Sequence, residues 1–198
     1  MIVKTIENYD GELLHHRFAY NFFREKTLPI GNIIAFRSPM LVEADGMIDS
    51  EDIIKNEFIY SDDAMNFLWE IPCLSDPFGA VAYQRLFNTN IANILSSKYL
   101  DGAPIEVDGD DLIVHKDHEQ GGVKQSKGKC SVSITYVRDG VTLGHTGINV
   151  HAGEKAPSHA YSTGLNNMQV SAFMRDTIDM FYQMNDDMFL ATTKTIVK

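Results

Sequence analysis

The chain has 198 residues, 44% of them apolar, and carries a formal net charge of -10 at pH 7. That length and apolar content suit one core, read as a single domain over residues 1–198, and so acidic a surface repels a phosphate backbone, which argues against direct duplex DNA binding. Cys73 and Cys130 form no CxxC pair, the opening MIVKTIENYDGELLHH lacks a signal-peptide apolar region, and no apolar run approaches the ~20 residues of a membrane span, so a cytoplasmic protein without a membrane partner is expected.

In chain order, NIIAFRSPMLVE (32–43) is short, β-branched and apolar, which predicts a strand; Pro39 predicts an irregularity or an edge position after Arg37. SEDIIKNEFIYSDDAMNFLWE (50–70) opens on Ser and acidic residues and places Phe67 and Leu68 three and four residues after Ala64, which predicts two short helices. After the loop IPCLSDPFG, the apolar positions Tyr83, Leu86, Phe87, Ile91, Ile94 and Leu95 predict an amphipathic helix stopped near Asp101-Gly102. PIEVDG, DDLIVHK and a hairpin within 127–150 predict strands, and DHEQGGVKQSKG between the last two reads as a mobile loop. HAGEKAPSHAYSTGL is a further loop, and the segment beginning NNMQVSAFMRD predicts a packed C-terminal helix. This order implies an α+β fold, with a mostly antiparallel or mixed sheet packed with helices. Neither GxGxxG nor GxxxxGK[ST] occurs, which makes a parallel nucleotide-binding sheet the poorer fit.

The hairpin KGKCSVSITYVRDGVTLGHTGINV can close in two registers. A two-residue Asp139-Gly140 turn puts His145 opposite Ile134 and on the other face from Lys129. A three-residue loop with Gly140 in a bulge puts His145 opposite Ser133 and gathers Lys129, Ser131, Ser133, His145, Gly147 and Asn149 on one polar face, with Cys130, Val132, Ile134 and Tyr136 on an apolar one. The second register is the expected one because it divides the strand cleanly. On that face the serines and Gly147 leave room for a ligand, Lys129 can pair with a carboxylate, and His145 can move a proton near neutral pH. The alternative is a solvated Lys129 and a structural His145.

GDDLIV, GKCSVSI and LGHTGINV resemble the central strands of lipoate and biotin protein ligases, in which Lys129 falls at the reactive-site lysine and Asp110-Asp111-Leu112 at an Asn-Asp-Leu strand. Their Arg- and Gly-rich adenylate loop has no counterpart in the first half of the chain. A resemblance along the whole length, carried by HHRFAYNF, PIGNIIAFRSPMLVEADGMIDSEDI, YSDDAMNFLWEIP, YQRLF, GDDLIV, KCSVSI and HTGINV, is to the domain-of-unknown-function family 366 (DUF366), with a biotin/lipoate ligase and class II synthetase type of fold. Phage members of that family accompany 7-deazaguanine genes, which implies decarboxylation of 7-carboxy-7-deazaguanine to 7-deazaguanine for DNA base modification. The resemblance implies a small deazapurine substrate and no required cofactor; metal use stays open, and ATP belongs only to the alternative of an acyl or nucleotidyl transferase. A modified-base delivery protein without catalysis is the third possibility. Within the decarboxylase reading, Arg37 or Lys129 positions the carboxylate, His145 or another titrating group protonates the ring carbon, and Glu70, Asp110 or Asp111 holds the guanine-like N–H edge.

Other constellations carry less. His15, His16, His145, His151 and His159 are numerous enough for zinc, but no HExxH or paired-cysteine motif accompanies them. Arg37 lies in an apolar strand, where it binds either a ligand or a structural partner such as Glu43 or Glu70. Arg85 interrupts the best helix, where solvent or a subunit contact is the simpler role. EADGMIDSEDI lacks the spacing of a calcium loop, and Ser131 and Ser133 lack a GxSxG elbow. An exposed apolar edge could support a homo-oligomer.

Overall fold

β2 (Asn32–Val42) and β3 (Ile59–Ile71) pair antiparallel at the centre of the molecule, in a computed structural model that describes residues 1–3, 6–23, 30–55 and 57–194. They belong to a five-stranded sheet with β1 (Ile2–Val3), β9 (Ser131–Arg138) and β10 (Val141–His151), in the order β1-β2-β3-β10-β9. Within this sheet, among the described residues, only β1 runs parallel to its neighbour. One face of the sheet packs Phe67 and Trp69 against Phe87 of α3 (Pro77–Ile94) and Phe173 and Phe181 of α4 (Asn167–Thr192). The other face packs Ile34, Phe36, Leu68 and Leu143 beneath Tyr9, Leu14 and α1 (Phe18–Phe23). The fold is therefore α+β, an antiparallel-rich sheet covered by helices.

Both long helices form where the apolar spacing places them. Asp76 caps α3 by accepting from the Gly79 amide, Pro77 occupies its first turn, and a π turn at Leu95–Tyr99 leads to Asp101 and Gly102, both at positive φ. Asn166 caps α4 with a reciprocal box, its side chain accepting from the Gln169 amide while Gln169 Oε1 accepts from the Asn166 amide. Asn166→Ala is expected to cost about 1 kcal/mol, seen as a fall of a few degrees in Tm.

Two elements differ from the sequence expectation. The first predicted helix exists as α2 (Ser50–Lys55), but the second is the 13-residue strand β3. β3 lies between β2 and β10 with both faces covered, so residues 64–71 are all buried and show no alternation. The Ala64, Phe67 and Leu68 spacing that suggests a helix is a coincidence of a continuously buried run. The polar stretch 117–128 is not wholly loop either: β6 (His118–Gln120) and β7 (Val123–Gln125) form a hairpin around Gly121 and Gly122, at φ 56° and 76°. The remaining strands, β4 (Ile105–Asp108), β5 (Asp111–Val114) and β8 (Gly128–Lys129), form a three-stranded sheet in that order.

Pro39 acts as its sequence position suggests. The β2–β3 register slips between Ser38 and Met40, and the Pro39 carbonyl, released from the ladder, accepts the Tyr9 amide at 3.0 Å. The Leu41 amide returns a bond to the Tyr9 carbonyl, so the irregularity in β2 fastens Tyr9 over the sheet.

Candidate functional site

The hairpin closes in the register that the sequence reading disfavours. Asp139 and Gly140 have φ of 52° and 77°, Arg138 pairs with Val141, and His145 pairs with Ile134, as in a two-residue type I′ turn. His145 therefore shares its face with Val132, Ile134 and Tyr136, while Ser131 and Ser133 face α3. Ser131 Oγ accepts the Leu112 amide at 2.8 Å and Ser133 Oγ accepts from Gln84 Nε2 at 2.8 Å, which makes both serines fixed parts of the scaffold. The expected apolar set is also split, because Cys130 packs into the core on the helix side.

Lys129 and His145 nevertheless line one cavity of about 300 Å³. The strand breaks at Cys130: Lys129 belongs to β8 and pairs with Ile113, whereas Ser131 onward belongs to β9 and pairs with β10. This change of sheet, rather than strand parity, turns Lys129 toward the space above His145. Asp110, Asp111 and Asn149 line the same cavity, with backbone or side chain of Ser131 and Ser133 at its wall. The loop after β2 and α2 close the opposite side with Asp49, Asp52 and Glu57. Lys129 is the only lysine or arginine among the described residues of the lining, and its Nζ lies 2.7 Å from Asp111 Oδ1.

Two other expected site residues lie elsewhere. Arg37 makes a bidentate pair with Asp63, at 2.8 and 2.6 Å, and donates to Asn167 Oδ1 at the start of α4. It is a structural clamp between β2, β3 and α4, with neither of the partners suggested from sequence. Glu70 is buried in the sheet, where it accepts the Arg17 amide at 2.9 Å and a bond from Asn32. That arrangement holds Arg17 at φ 60° and leaves Glu70 outside the cavity lining. Of the histidines only His145 and His159 share the cavity lining: His15 contacts the His16 carbonyl, His16 lies 3.9 Å from Asp139, and His151 lies 3.5 Å from Asp62. Among the described residues, no three His, Cys, Asp or Glu side chains form a group able to hold a metal ion.

Electrostatics distinguish the groups in the lining. Burial holds the Asp110 carboxyl above its ordinary range, helped by the neighbouring Asp111 and opposed by Arg85 and Lys129. Burial likewise raises Asp52, with Asp49 and Glu57 adding to the effect. Burial lowers His145 to about 3, so its ring is neutral at pH 7. The expected role of His145 as the proton donor is therefore corrected: a cationic acid there is too scarce. Folding favours this neutral ring, so the stabilisation is complete above the unfolded value of 6.5 and is lost as pH falls toward 3. Urea denaturation between pH 7.5 and 4 is expected to show wild type losing several kcal/mol more than His145→Gln.

The sequence reading missed three residues of this region. Tyr9 stacks on His145 with ring centroids 4.1 Å apart, Asn66 Oδ1 lies 2.9 Å from His145 Nε2, and Asp52 comes from the far side of the cavity. A polar Asn66 within an otherwise apolar run is the available signal, and the helical reading of that run absorbs it.

Residues 1–196 match the family described as Domain of unknown function (DUF366). A search of curated proteins finds no match. Among solved structures, a protein of unknown function from Pyrococcus horikoshi superposes with a TM-score of 0.83 at 22% identity, covering 100% of this chain and 97% of that one. The biotin protein ligase from Aquifex aeolicus in complex with biotin and ATP gives 0.51 at 11% identity, over 92% of this chain and 70% of the ligase. P. falciparum LipL1 in complex with lipoate gives 0.52 at 12% identity, over 93% of this chain and 60% of that one. At these identities the likeness is one of fold, and it establishes a biotin/lipoate ligase-like architecture. No helix among the described residues is long and apolar enough to cross a membrane.

Proposed function

The chain belongs to the DUF366 family, and from that membership we propose that it decarboxylates 7-carboxy-7-deazaguanine to 7-deazaguanine, requiring neither ATP nor a bound cofactor. The observation that carries this reading is a single lysine set among carboxyl groups, two of them raised by burial, over a neutral aromatic floor. A volume of about 300 Å³ is at the small end of ligand sites and suits a bicyclic base.

Lys129 anchors the substrate carboxylate. Asp110 in its protonated form delivers a proton to ring carbon C7, and the positive charge spreads onto the pyrrole nitrogen. The electron pair of the bond from C7 to the carboxylate then returns to the ring as CO2 leaves, which restores aromaticity with hydrogen at C7. Asp110 recovers its proton from water. Asp111, beside Lys129, repels the bound carboxylate, and this repulsion is relieved as the group becomes neutral CO2. Asp52, on the opposite side of the cavity, accepts hydrogen bonds from the N–H edge of the base.

Mass spectrometry of 7-carboxy-7-deazaguanine incubated with the purified protein tests this reading. Loss of CO2 with and without ATP is the expected result. Unchanged substrate would overturn it, and an adenylated product formed only with ATP would identify a ligase-type reaction instead.

A further inference from the structure

A chain of hydrogen bonds below the cavity fixes the proton on His145. Ser38 Oγ donates to the Pro39 carbonyl at 2.9 Å, so toward its neighbour it offers only a lone pair. Asn66 Nδ2 donates to that lone pair at 3.3 Å, which orients the amide with Oδ1 toward His145. Asn66 Oδ1 is an acceptor, so at 2.9 Å His145 Nε2 must carry the hydrogen. The neutral ring then has its lone pair on Nδ1, which has no hydrogen-bond partner among the described residues and is not among their sealed, unpartnered polar atoms. Tyr9, stacked on the ring, holds its plane. Asn149 lines the same cavity with a side-chain amide that also has no partner among the described residues.

From this geometry we infer that His145 is an uncharged hydrogen-bond acceptor that reads a ring N–H of the bound base, and that Asn66 is the positioning residue holding it in that form. With Asp52 and Asp111 also accepting, the lining is rich in acceptors. It therefore selects a heterocycle with a donor edge, as in a guanine-type lactam N–H beside an amino group, over an adenine-type ring that presents a lone pair at the same position. The inference rests on the proposed base-binding role of the cavity and adds what the cavity discriminates.

Two measurements on the intact protein test it. Long-range proton–nitrogen NMR of labelled protein is expected to show His145 as the Nε2–H tautomer from pH 8 to pH 5. Calorimetry is expected to show 7-deazaguanine binding at least about a hundredfold more tightly than 7-deazaadenine. The opposite tautomer, an imidazolium at pH 6, or equal binding of the two bases would each overturn the inference.

Asn66→Asp probes the positioning role. A carboxylate at that place favours the charged ring, which loses its acceptor, so binding is expected to weaken more steeply than in wild type as pH falls and to recover as it rises, the carboxyl groups of the lining contributing alike to both proteins. The other titratable groups around the ring are Tyr9 against its face, Tyr136 on the same side of the sheet, and Lys129, His159, Tyr60, Asp49, Glu51, Asp52, Glu57, Asp110 and Asp111 in the cavity lining, and they are common to both proteins. Binding to Asn66→Asp with the same pH dependence as wild type would contradict the positioning role. If that variant does not fold, the wild-type tautomer and the two-base comparison still decide the matter. Selective binding of 7-deazaguanine without turnover of the carboxylated base would support this inference while removing the decarboxylase reading.

Discussion

Asp110→Asn is expected to lower the proposed decarboxylation about 10²–10⁴-fold, mostly in kcat, because the amide keeps the shape of the side chain and has no proton to give the ring carbon. Its folding should be little changed: the Asp110 carbonyl that accepts from Asn88 Nδ2 belongs to the backbone, and the side chain's 3.8 Å contact with Arg85 is partly exposed. Wild-type activity should also fall as pH rises through the raised Asp110 value, since the protonated carboxyl is the reactive form. In the Asp110→Asn variant that descending limb should vanish along with the rate. Steady-state kinetics across pH on both proteins reads both effects. A variant with full kcat would remove Asp110 from the acid role.

The largest expected effect on stability is at Gly144. This residue pairs with Trp69 in β3, and a Cβ built on it would lie 2.0 Å from Trp69 Cζ2 and within 2.4 Å of two further ring atoms. Trp69 is fully buried among Ile71, Tyr83 and Phe87, so its ring has no space into which to retreat. Gly144→Ala is therefore expected to destabilise the fold by about 3 kcal/mol or more, read from urea denaturation. Gly140→Ala is a useful contrast: its site is open, and its cost arises from the left-handed backbone at φ 77°.

Local sequence is informative where local physics decides. α3 and α4 carry one-sided apolar spacing and strong caps, and β2 carries β-branched residues with a proline whose irregularity appears at the Ser38/Met40 slip. β3 reads as a helix because a strand covered on both faces loses its alternation. The hairpin register depends on whether Asp139 takes a positive φ, which Asp tolerates and the flanking pattern does not report. Lys129, His145, Asp110, Asp111 and Asn149 are recognisable as polar groups in or beside strands, yet what brings them together is the break at Cys130 and the change of sheet there. Arg37 looks costly to bury, but its position in β2 is exposed, where it pairs with Asp63 and Asn167, the latter 130 residues away in sequence. Tyr9 and Asp52 reach the cavity through long-range packing of segments that have no site-like pattern of their own.

The most direct measurement of the central claim is the fate of carboxyl-¹³C-labelled 7-carboxy-7-deazaguanine incubated with the protein in D₂O without ATP. Release of ¹³CO₂ with one deuterium at ring carbon C7 for each turnover is the expected result, with both signals suppressed together in Asp110→Asn. Retention of the ¹³C label in the base, whether free or activated by ATP, would contradict decarboxylation as the reaction of this cavity.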